Sequence, residues 1–347
     1  MMPNGRPTPN GASSLIEALL ELGVDTVFGY PGGAVLPIYD ALHDQPALRH
    51  ILVRHEQAAV HAAQGYARTT GKVGVAFVTS GPGVSNTTTG LLDCLCDSVP
   101  VVCISGQVAS DSIGTDAFQE CDALGISRPV TKWSAQAREA SAIRPLVRRA
   151  FDIASGPRPG PVLLDIPKDV QVQALASASH HRSQTRRPRA GSTHHGSFPV
   201  QQLRRAIALI AQSQRPVIYG GGGLVNSGQG ACDLFKELVE LTAAPCALTL
   251  MGLGAYPASD QKWLGMLGMH GTLEANLAMH HAEHEELKAE RDKMRELRQD
   301  VARLRVDLDR LASINEVLLA ENAVLRAKLD DRRVVDLSSK TQNRIQA

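Results

Sequence analysis

Long apolar runs, an excess of charge and a secretion signal are all missing from this sequence. The 347 residues include 36 Lys and Arg against 35 Asp and Glu, so no overall field attracts nucleic acid or an acidic membrane. No run approaches the roughly 18 apolar residues of a membrane span, and residues 1–10 lack the apolar core of a signal peptide. These absences predict a cytoplasmic protein with no nucleic-acid and no membrane partner.

Metal-binding cysteine patterns are also missing. None of the six cysteines forms a Cys-x-x-Cys pair, and no zinc-type spacing with histidine occurs. The cysteines lie within or beside apolar runs, which is typical of free, mostly buried thiols in a reducing compartment. The sequence therefore predicts that this chain supplies no metal ligands.

Residues 11–170 alternate short β-branched runs with helical patterns. Strands are expected at residues 26–28, 73–78, 99–104 and 162–166. Such an alternation predicts a parallel sheet with helices on both faces.

The next part of the chain divides into two segments. Residues 171–198 are rich in Ser, His and Arg, and we interpret them as an interdomain linker rather than a nucleic-acid contact. Residues 199–280 then resume the α/β pattern, with a helix expected at 204–211 and a strand at 216–219. Four consecutive glycines, 220–223, follow that strand.

The C-terminal part has no glycine after Gly271 and no proline after Pro257. Within residues 282–333, leucines recur every seven residues and alternate with a second core series that contains two asparagines. This heptad pattern predicts a coiled-coil helix, and core asparagines favour a parallel two-stranded zipper with a coiled-coil partner. The mixed charges upstream do not fit a DNA-binding zipper. Residues 334–347 form a polar tail.

Of three short motifs in the first domain, two follow predicted strands and one follows the apolar residues 51–53. Residues 29–33 are glycine-rich, residues 54–57 read Arg-His-Glu-Gln, and residues 79–83 precede a helix expected to contain Asn86. Glycines allow the backbone to approach a ligand closely, and a helix start suits an anion or a ring. A glutamate such as Glu56 at a helix start is more often a simple N-terminal charge. Each motif is weak alone, whereas their order together is specific.

Taken together, these motifs resemble the large catalytic subunit of acetolactate (acetohydroxyacid) synthase, a thiamine-diphosphate-dependent enzyme family. The resemblance covers about residues 11–280 in the family's order. It rests on residues 29–34, 54–57, 80–83, 106–108, 114–120, 158–161, 166–170, 251–254 and 267–271. It implies a flavodoxin-like parallel-sheet pyrimidine-binding domain at 11–170 and a partial second α/β domain of the FAD type at 199–280.

The resemblance also implies a reaction and its cofactors. The reaction is the condensation of two 2-oxo acids, pyruvate with pyruvate or with 2-oxobutyrate, in branched-chain amino-acid biosynthesis. Thiamine diphosphate performs the chemistry, FAD is largely structural, and Mg²⁺ holds the diphosphate. Glu56 matches the glutamate that hydrogen-bonds the pyrimidine N1′, and Gln119 matches a residue suited to a developing oxyanion.

Further site residues are carried over by position. The residues that match the family's reaction site and substrate access are Glu56, Gly33, Phe118, Gln119 and Lys168. The thiamine diphosphate positions are Tyr30, Pro31, Gly32, Glu56, Pro82 and Asn86. The FAD positions are Arg158, Gly221, Gly222, Asn226, Thr249, Leu250, Met251, Met269 and His270. Ala109 stands where many family members carry proline in the access channel.

The resemblance stops near His280, and the chain contains no Gly-Asp-Gly motif, which in the family belongs to the site for Mg²⁺ and the diphosphate. We therefore expect Mg²⁺ to be held only through a partner chain, in a homodimer or in an assembly with a full-length catalytic subunit, with a regulatory subunit as a further partner. Autonomous activity is not expected. The alternatives are a non-catalytic scaffold and a truncated fusion that uses the pyrimidine domain and the zipper for dimerisation.

Overall fold

The computed structural model describes residues 8–175 and 200–282. Residues 176–198 of the predicted linker lie outside this part. The predicted coiled coil (282–333), beyond its first residue, and the polar tail (334–347) also lie outside the described residues.

The first domain alternates strands and helices. Its elements are α1 (Gly11–Glu21), β1 (Thr26–Gly29), α2 (Leu36–His43), β2 (Arg49–Leu52), α3 (Glu56–Thr70), β3 (Gly74–Val78), α4 (Pro82–Ser85), α5 (Thr88–Asp97), β4 (Val101–Gln107), α6 (Ala123–Ser127), β5 (Trp133–Gln136), α7 (Ala140–Ala154), β6 (Val162–Pro167) and α8 (Lys168–Val172). Two 3₁₀ turns, Ser110–Ser112 and Arg128–Val130, complete it.

Six parallel strands form one sheet in the order β2-β1-β3-β4-β6-β5. This confirms the predicted parallel sheet, which is consistent with a flavodoxin-like domain. The four strands expected from β-branched runs are the inner ones. The edge strands, β2 and β5, were not predicted, because each is short, partly polar and only partly buried.

Burial on both faces explains why the inner strands are continuous apolar runs. In β3, Val75 and Phe77 pack into a core beneath α1 and α7, whereas Ala76 and Val78 pack into a second core against α3 and α5. Successive side chains point to opposite faces of a sheet, so each apolar residue of the run has a core to enter.

The ends of the first domain are joined to each other. Asn10 caps α1 by accepting a hydrogen bond from the Ser13 amide (2.9 Å), and it forms an isolated antiparallel bridge with Ala174. The amide of Leu175 also donates to the carbonyl of Pro9 (2.9 Å). The chain therefore stays attached to this domain through residue 175, beyond the expected range of 11–170.

The second part of the described chain holds a smaller parallel sheet in the order β7-β8-β9. Its elements are α9 (Val200–Gln212), β7 (Ile218–Gly220), α10 (Gly222–Asn226), α11 (Gln229–Thr242), β8 (Cys246–Leu248), β9 (Trp263–Met266) and α12 (Leu273–His281). A small core forms around Phe235, Val239 and Leu248, whereas α9 buries none of its residues. In the described part of the chain, no helix combines the length and the apolar character that crossing a membrane requires.

Candidate functional site

The glycine motifs lie at the point where the strand order of the sheet reverses. β1 and β3 are neighbours, but the chain goes from β1 outward to β2 and from β3 to β4 on the other side. In open α/β sheets, ligands bind beyond the carboxyl ends of the strands at such a switch point. The turns that follow β1 and β3, residues 30–34 and 79–83, form this crevice. The sheet topology thus brings together motifs that are about 50 residues apart in sequence.

Glu56 lies beside this crevice as the first residue of α3. Its side chain is only 8% exposed, although a simple helix-terminal charge would normally face water. Asn86 Nδ2 donates to Glu56 Oε2 at 2.9 Å, and among the described residues no donor reaches Oε1. A buried carboxylate with one oxygen held and the other open is suited to receive a hydrogen bond from a ligand.

Asn86 occupies a different position from the one expected. It is the C-cap of the single-turn helix α4 and lies between α4 and α5, not inside a longer helix. The chain turns here because the amide of Thr87 bonds to the carbonyl of Val84 (3.1 Å), which closes a tight turn instead of an α-helical one. This break aims the Asn86 amide at Glu56.

Two glycines allow the backbone to pack closely against Thr79, which directly follows β3. A Cβ on Gly32 would lie 2.5 Å from Thr79 Cγ2, and a Cβ on Gly83 would lie 2.7 Å from the same atom and 3.6 Å from Glu56 Oε1. Neither position has room for a side chain. The open carboxylate oxygen beside the bare backbone of Gly83 is compatible with the ring of thiamine diphosphate that the resemblance assigns to Glu56. The sequence analysis missed Thr79 as a site residue, although it lies inside the quoted motif.

The loop that carries Phe118 and Gln119 approaches the same turn. A Cβ on Gly81 would lie 2.7 Å from the carbonyl oxygen of Gln119, and Gln119 itself has a positive φ of 59°. The Glu120 carboxylate accepts hydrogen bonds from the amides of Gly114, Thr115 and Ala117, which lower its pKa. The loop is therefore internally braced, with Gln119 beside the crevice and Phe118 88% exposed.

The remaining predicted residues of this site lie along the same edge of the sheet. Tyr30, Pro31, Gly33 and Pro82 are exposed on the two turns at the crevice. Lys168, exposed at the carboxyl end of β6, is farther away, because β3 and β4 separate β6 from β1.

The predicted flavin positions of the second sheet also lie along one edge. They occupy the loops after its three strands: Gly221 and Gly222 after β7, Thr249, Leu250 and Met251 after β8, and Met269 and His270 after β9. The first two loops are in contact, because a Cβ on Gly222 would lie 2.9 Å from Met251 Cβ. Met269 is 91% exposed, and His270 is exposed as well.

Arg158 and Asn226, the other two flavin positions, meet at one residue of the first domain. Arg158 Nε donates to Ser98 Oγ at 3.0 Å, and Asn226 Nδ2 donates to the Ser98 carbonyl at 3.4 Å. Ser98 ends α5 in the left-handed conformation, which exposes both acceptors. Ser98 thus links Arg158 to Asn226, the last residue of α10, which follows the first strand of the second sheet.

A buried polar cluster close to the loop of Gln119 was not predicted. Asp165, fully buried in β6, accepts hydrogen bonds from Ser105 Oγ (2.6 Å), Gln136 Nε2 (2.8 Å) and Gln107 Nε2 (3.2 Å). Burial raises the pKa of Asp165. Gln107 also donates to the carbonyl of Cys121 (2.9 Å), which anchors the end of the loop. An aspartate within the apolar run of residues 162–166 was the signal that could have revealed this cluster.

No group of three or more His, Cys, Asp and Glu that could hold a metal ion occurs within residues 8–175 and 200–282.

Comparison with known proteins finds two family profiles that match this chain. The family profile of the thiamine pyrophosphate enzyme N-terminal TPP binding domain matches residues 9–126, and that of the thiamine pyrophosphate enzyme central domain matches residues 203–284. The crevice beside Glu56 lies within the first match, and the loops of the small parallel sheet lie within the second.

Individual relatives give the same result. The acetolactate synthase large subunit of Haemophilus influenzae is 48% identical over 277 residues, 79% of this chain and 47% of that protein. The acetolactate synthase isozyme 3 large subunit of Escherichia coli is 48% identical over 276 residues, with the same shares. The acetolactate synthase of Mycobacterium bovis is 48% identical over 273 residues, 79% of this chain and 43% of that protein.

The chain therefore spans about half the length of the curated relatives that it matches. Within that span, the N-terminal profile match precedes the central one. Residues 9–126 and 203–284 thus belong to the N-terminal and central domains of the thiamine pyrophosphate enzyme family, and they are similar to those of acetolactate synthase large subunits.

Proposed function

We propose that this chain takes part in the thiamine-diphosphate-dependent condensation of two 2-oxo acids, pyruvate with pyruvate or with 2-oxobutyrate. This is the acetolactate synthase reaction of branched-chain amino-acid biosynthesis, carried out in the cytoplasm. The observation that carries the proposal is the buried Glu56 carboxylate, which is held by Asn86 on Oε2 and open on Oε1 beside the bare backbone of Gly83. The names of the relatives support the choice of reaction.

Each residue at the crevice has a role in this proposal. Thiamine diphosphate, when bound, supplies a nucleophilic carbon that adds to the carbonyl of a 2-oxo acid. Glu56 holds a proton between Oε1 and N1′ of the aminopyrimidine ring, and Asn86 keeps its other oxygen in place. Gln119 donates to the oxygen that gains charge. Gly33, Phe118 and Lys168 line the approach of the substrate.

The site for the diphosphate and its Mg²⁺ is assigned to a second chain. In the proposed assembly, that chain is another copy or a full-length catalytic subunit, and a regulatory subunit is a further partner. A diphosphate without its metal loses most of its binding free energy, so we expect this chain alone to bind the cofactor weakly.

FAD is assigned to the carboxyl edge of the small sheet. The backbone around Gly221 and Gly222 is bare enough to approach a pyrophosphate closely. The Arg158 guanidinium, joined to the same edge through Ser98 and Asn226, supplies a cation for that group.

A mixing experiment tests the proposal. The partner is a full-length relative, such as the Escherichia coli isozyme 3 large subunit, whose glutamate at the position of Glu56 is changed to glutamine. We expect acetolactate to form from pyruvate, with thiamine diphosphate, Mg²⁺ and FAD present, only when this chain is added, because its Glu56 then completes a mixed site.

The matched variants are Glu56→Gln, which we expect to abolish the restored activity, and Glu237→Gln, which changes an exposed glutamate of α11 and should leave it intact. A mixture that stays inactive with the unchanged chain, although the two chains copurify, would support the scaffold alternative and contradict the proposed reaction.

A further inference from the structure

Gln171, on α8, is a buried side chain for which neither the sequence motifs nor the proposed reaction accounts. It is 0% exposed. Its Nε2 donates to the Ala34 carbonyl at 2.8 Å and to the Ile166 carbonyl at 2.7 Å, while its Oε1 is buried without a partner. Exchanging the two ends of the amide would place Oε1 against two carbonyl oxygens, so the contacts determine its orientation. A buried oxygen without a partner is destabilising. We therefore attribute the presence of glutamine at position 171 to the two hydrogen bonds that its Nε2 donates.

The backbone of Ala34, which Gln171 reaches, is held by contacts from three segments. The Ala34 amide donates to Thr79 Oγ1 at 3.3 Å, and the Ala34 carbonyl accepts from Gln171. On the β4 side, a Cβ on Gly106 would lie 2.4 Å from the Ala34 oxygen, so β4 approaches to backbone contact. The turn that contains Gly32 and Gly33 therefore has little freedom to shift at its C-terminal end.

These contacts join two parts of the candidate site. Ala34 directly follows Gly33, and Gln171 lies on the same short helix as Lys168. The two partners of the hydrogen bond are 137 residues apart in sequence. Within the proposed function, on which this inference rests, we infer that Gln171 is a positioning residue that fixes the spacing between the Gly33 turn and the Lys168 helix.

The chemistry of the position restricts which residues can do this. An asparagine is one methylene shorter, and a glutamate would direct carboxylate oxygens at two carbonyl oxygens, which repels. A methionine has a similar length and fills the space but donates nothing. Gln171→Met is therefore the variant that removes the two hydrogen bonds with the least change in packing.

Hydrogen exchange of the full-length chain, followed by mass spectrometry, tests the inference without any cofactor. We expect Gln171→Met to raise exchange about tenfold or more in residues 30–36 and in residues 166–172, and not in α3. The matched control is Gln64→Met, the same change at a buried glutamine of α3, which should leave both segments unchanged. Gly106→Ala, which presses on Ala34 from β4, should reproduce the effect in residues 30–36.

The mixed assembly described above supplies the second measurement. With Gln171→Met we expect kcat/KM for pyruvate to fall at least tenfold, while the urea midpoint stays close to that of Gln64→Met. Unchanged exchange in the two segments, or raised exchange throughout the chain, would overturn the inference, because Gln171 would then be ordinary core. Raised local exchange with unchanged kcat/KM would overturn it as well.

A wild-type chain that restores no activity would instead refute the proposed function. In that case the exchange of the two segments still decides whether Gln171 fixes their spacing.

Discussion

Asn86 and Glu56 are 30 residues apart in sequence, yet Asn86 Nδ2 lies 2.9 Å from Glu56 Oε2. The hydrogen bond joins the end of α4 to the start of α3. It orients a buried carboxylate and leaves its second oxygen toward the crevice.

This pair should be coupled in stability. Hydrogen bonds to charged groups contribute about 1.5–3 kcal/mol, so Asn86→Ala should lower the free energy of unfolding by an amount in that range. The same change in a Glu56→Gln background should cost at least 1 kcal/mol less, roughly, since the charge is gone. Urea denaturation of the four proteins measures the difference. Equal costs in both backgrounds would show that the two side chains do not interact.

Position 83 should tolerate only glycine, because the side chain of Thr79 occupies the space that a Cβ would need. Gly83→Ala places a methyl 2.7 Å from Thr79 Cγ2, and overpacking of this kind costs about 1–3 kcal/mol. Thr79→Ser removes that methyl but retains Oγ1, so the double variant should recover at least half of the loss. Gly65→Ala is the control, because its Cβ would meet nothing within 4 Å. If Thr79→Ser brings no recovery, another contact is responsible.

The stability of the first domain should depend on pH through Asp25. Hydrogen bonds from Lys72 and from Tyr66 (2.6 Å) lower the pKa of Asp25 from 3.8 to about 2. A carboxyl with a lowered pKa stabilises the fold above the unfolded-state pKa, and this contribution is lost as the pH falls toward the folded-state pKa.

Asp25→Asn should therefore lower Tm at neutral pH, and the difference from wild type should shrink as the pH falls from 4 toward 2. The Asp25 side chain is about half exposed, so added salt should reduce the difference too. Asp40→Asn, a change at an exposed aspartate of α2, is the control. A difference that does not vary with pH would contradict this account of Asp25.

Flavin binding should depend on Arg158. Arg158→Ala removes the guanidinium that reaches Ser98, and we expect FAD to bind at least tenfold more weakly, about 1.4 kcal/mol. Titration followed by quenching of flavin fluorescence gives the Kd. Arg138→Ala, at an exposed position, should bind FAD like wild type. Equal affinities for both variants would remove Arg158 from the proposed flavin site.

The inner strands could be predicted from composition, because each is buried on both faces and must therefore be continuously apolar. The edge strands could not, since Arg49 and His50 in β2 and Ser134 and Gln136 in β5 break the apolar pattern. The motifs around Glu56 and Gly83 could also be identified in the sequence. The family was suggested by the order of several motifs together, and no single motif would have been enough to suggest it.

By itself, the sequence determined the α/β class, the inner strands and the identity of the motif residues, because local apolar periodicity and glycine runs express these properties directly. Only the tertiary structure decided that Asn86 holds Glu56, that Thr79 supports Gly32 and Gly83, and that Gln171 reaches Ala34. Except for Thr79 and Gly83, these contacts join residues that are 30 to 137 positions apart. They depend on strand order and on the path of each loop, which are set by the packing of the whole domain and leave no local pattern in the chain.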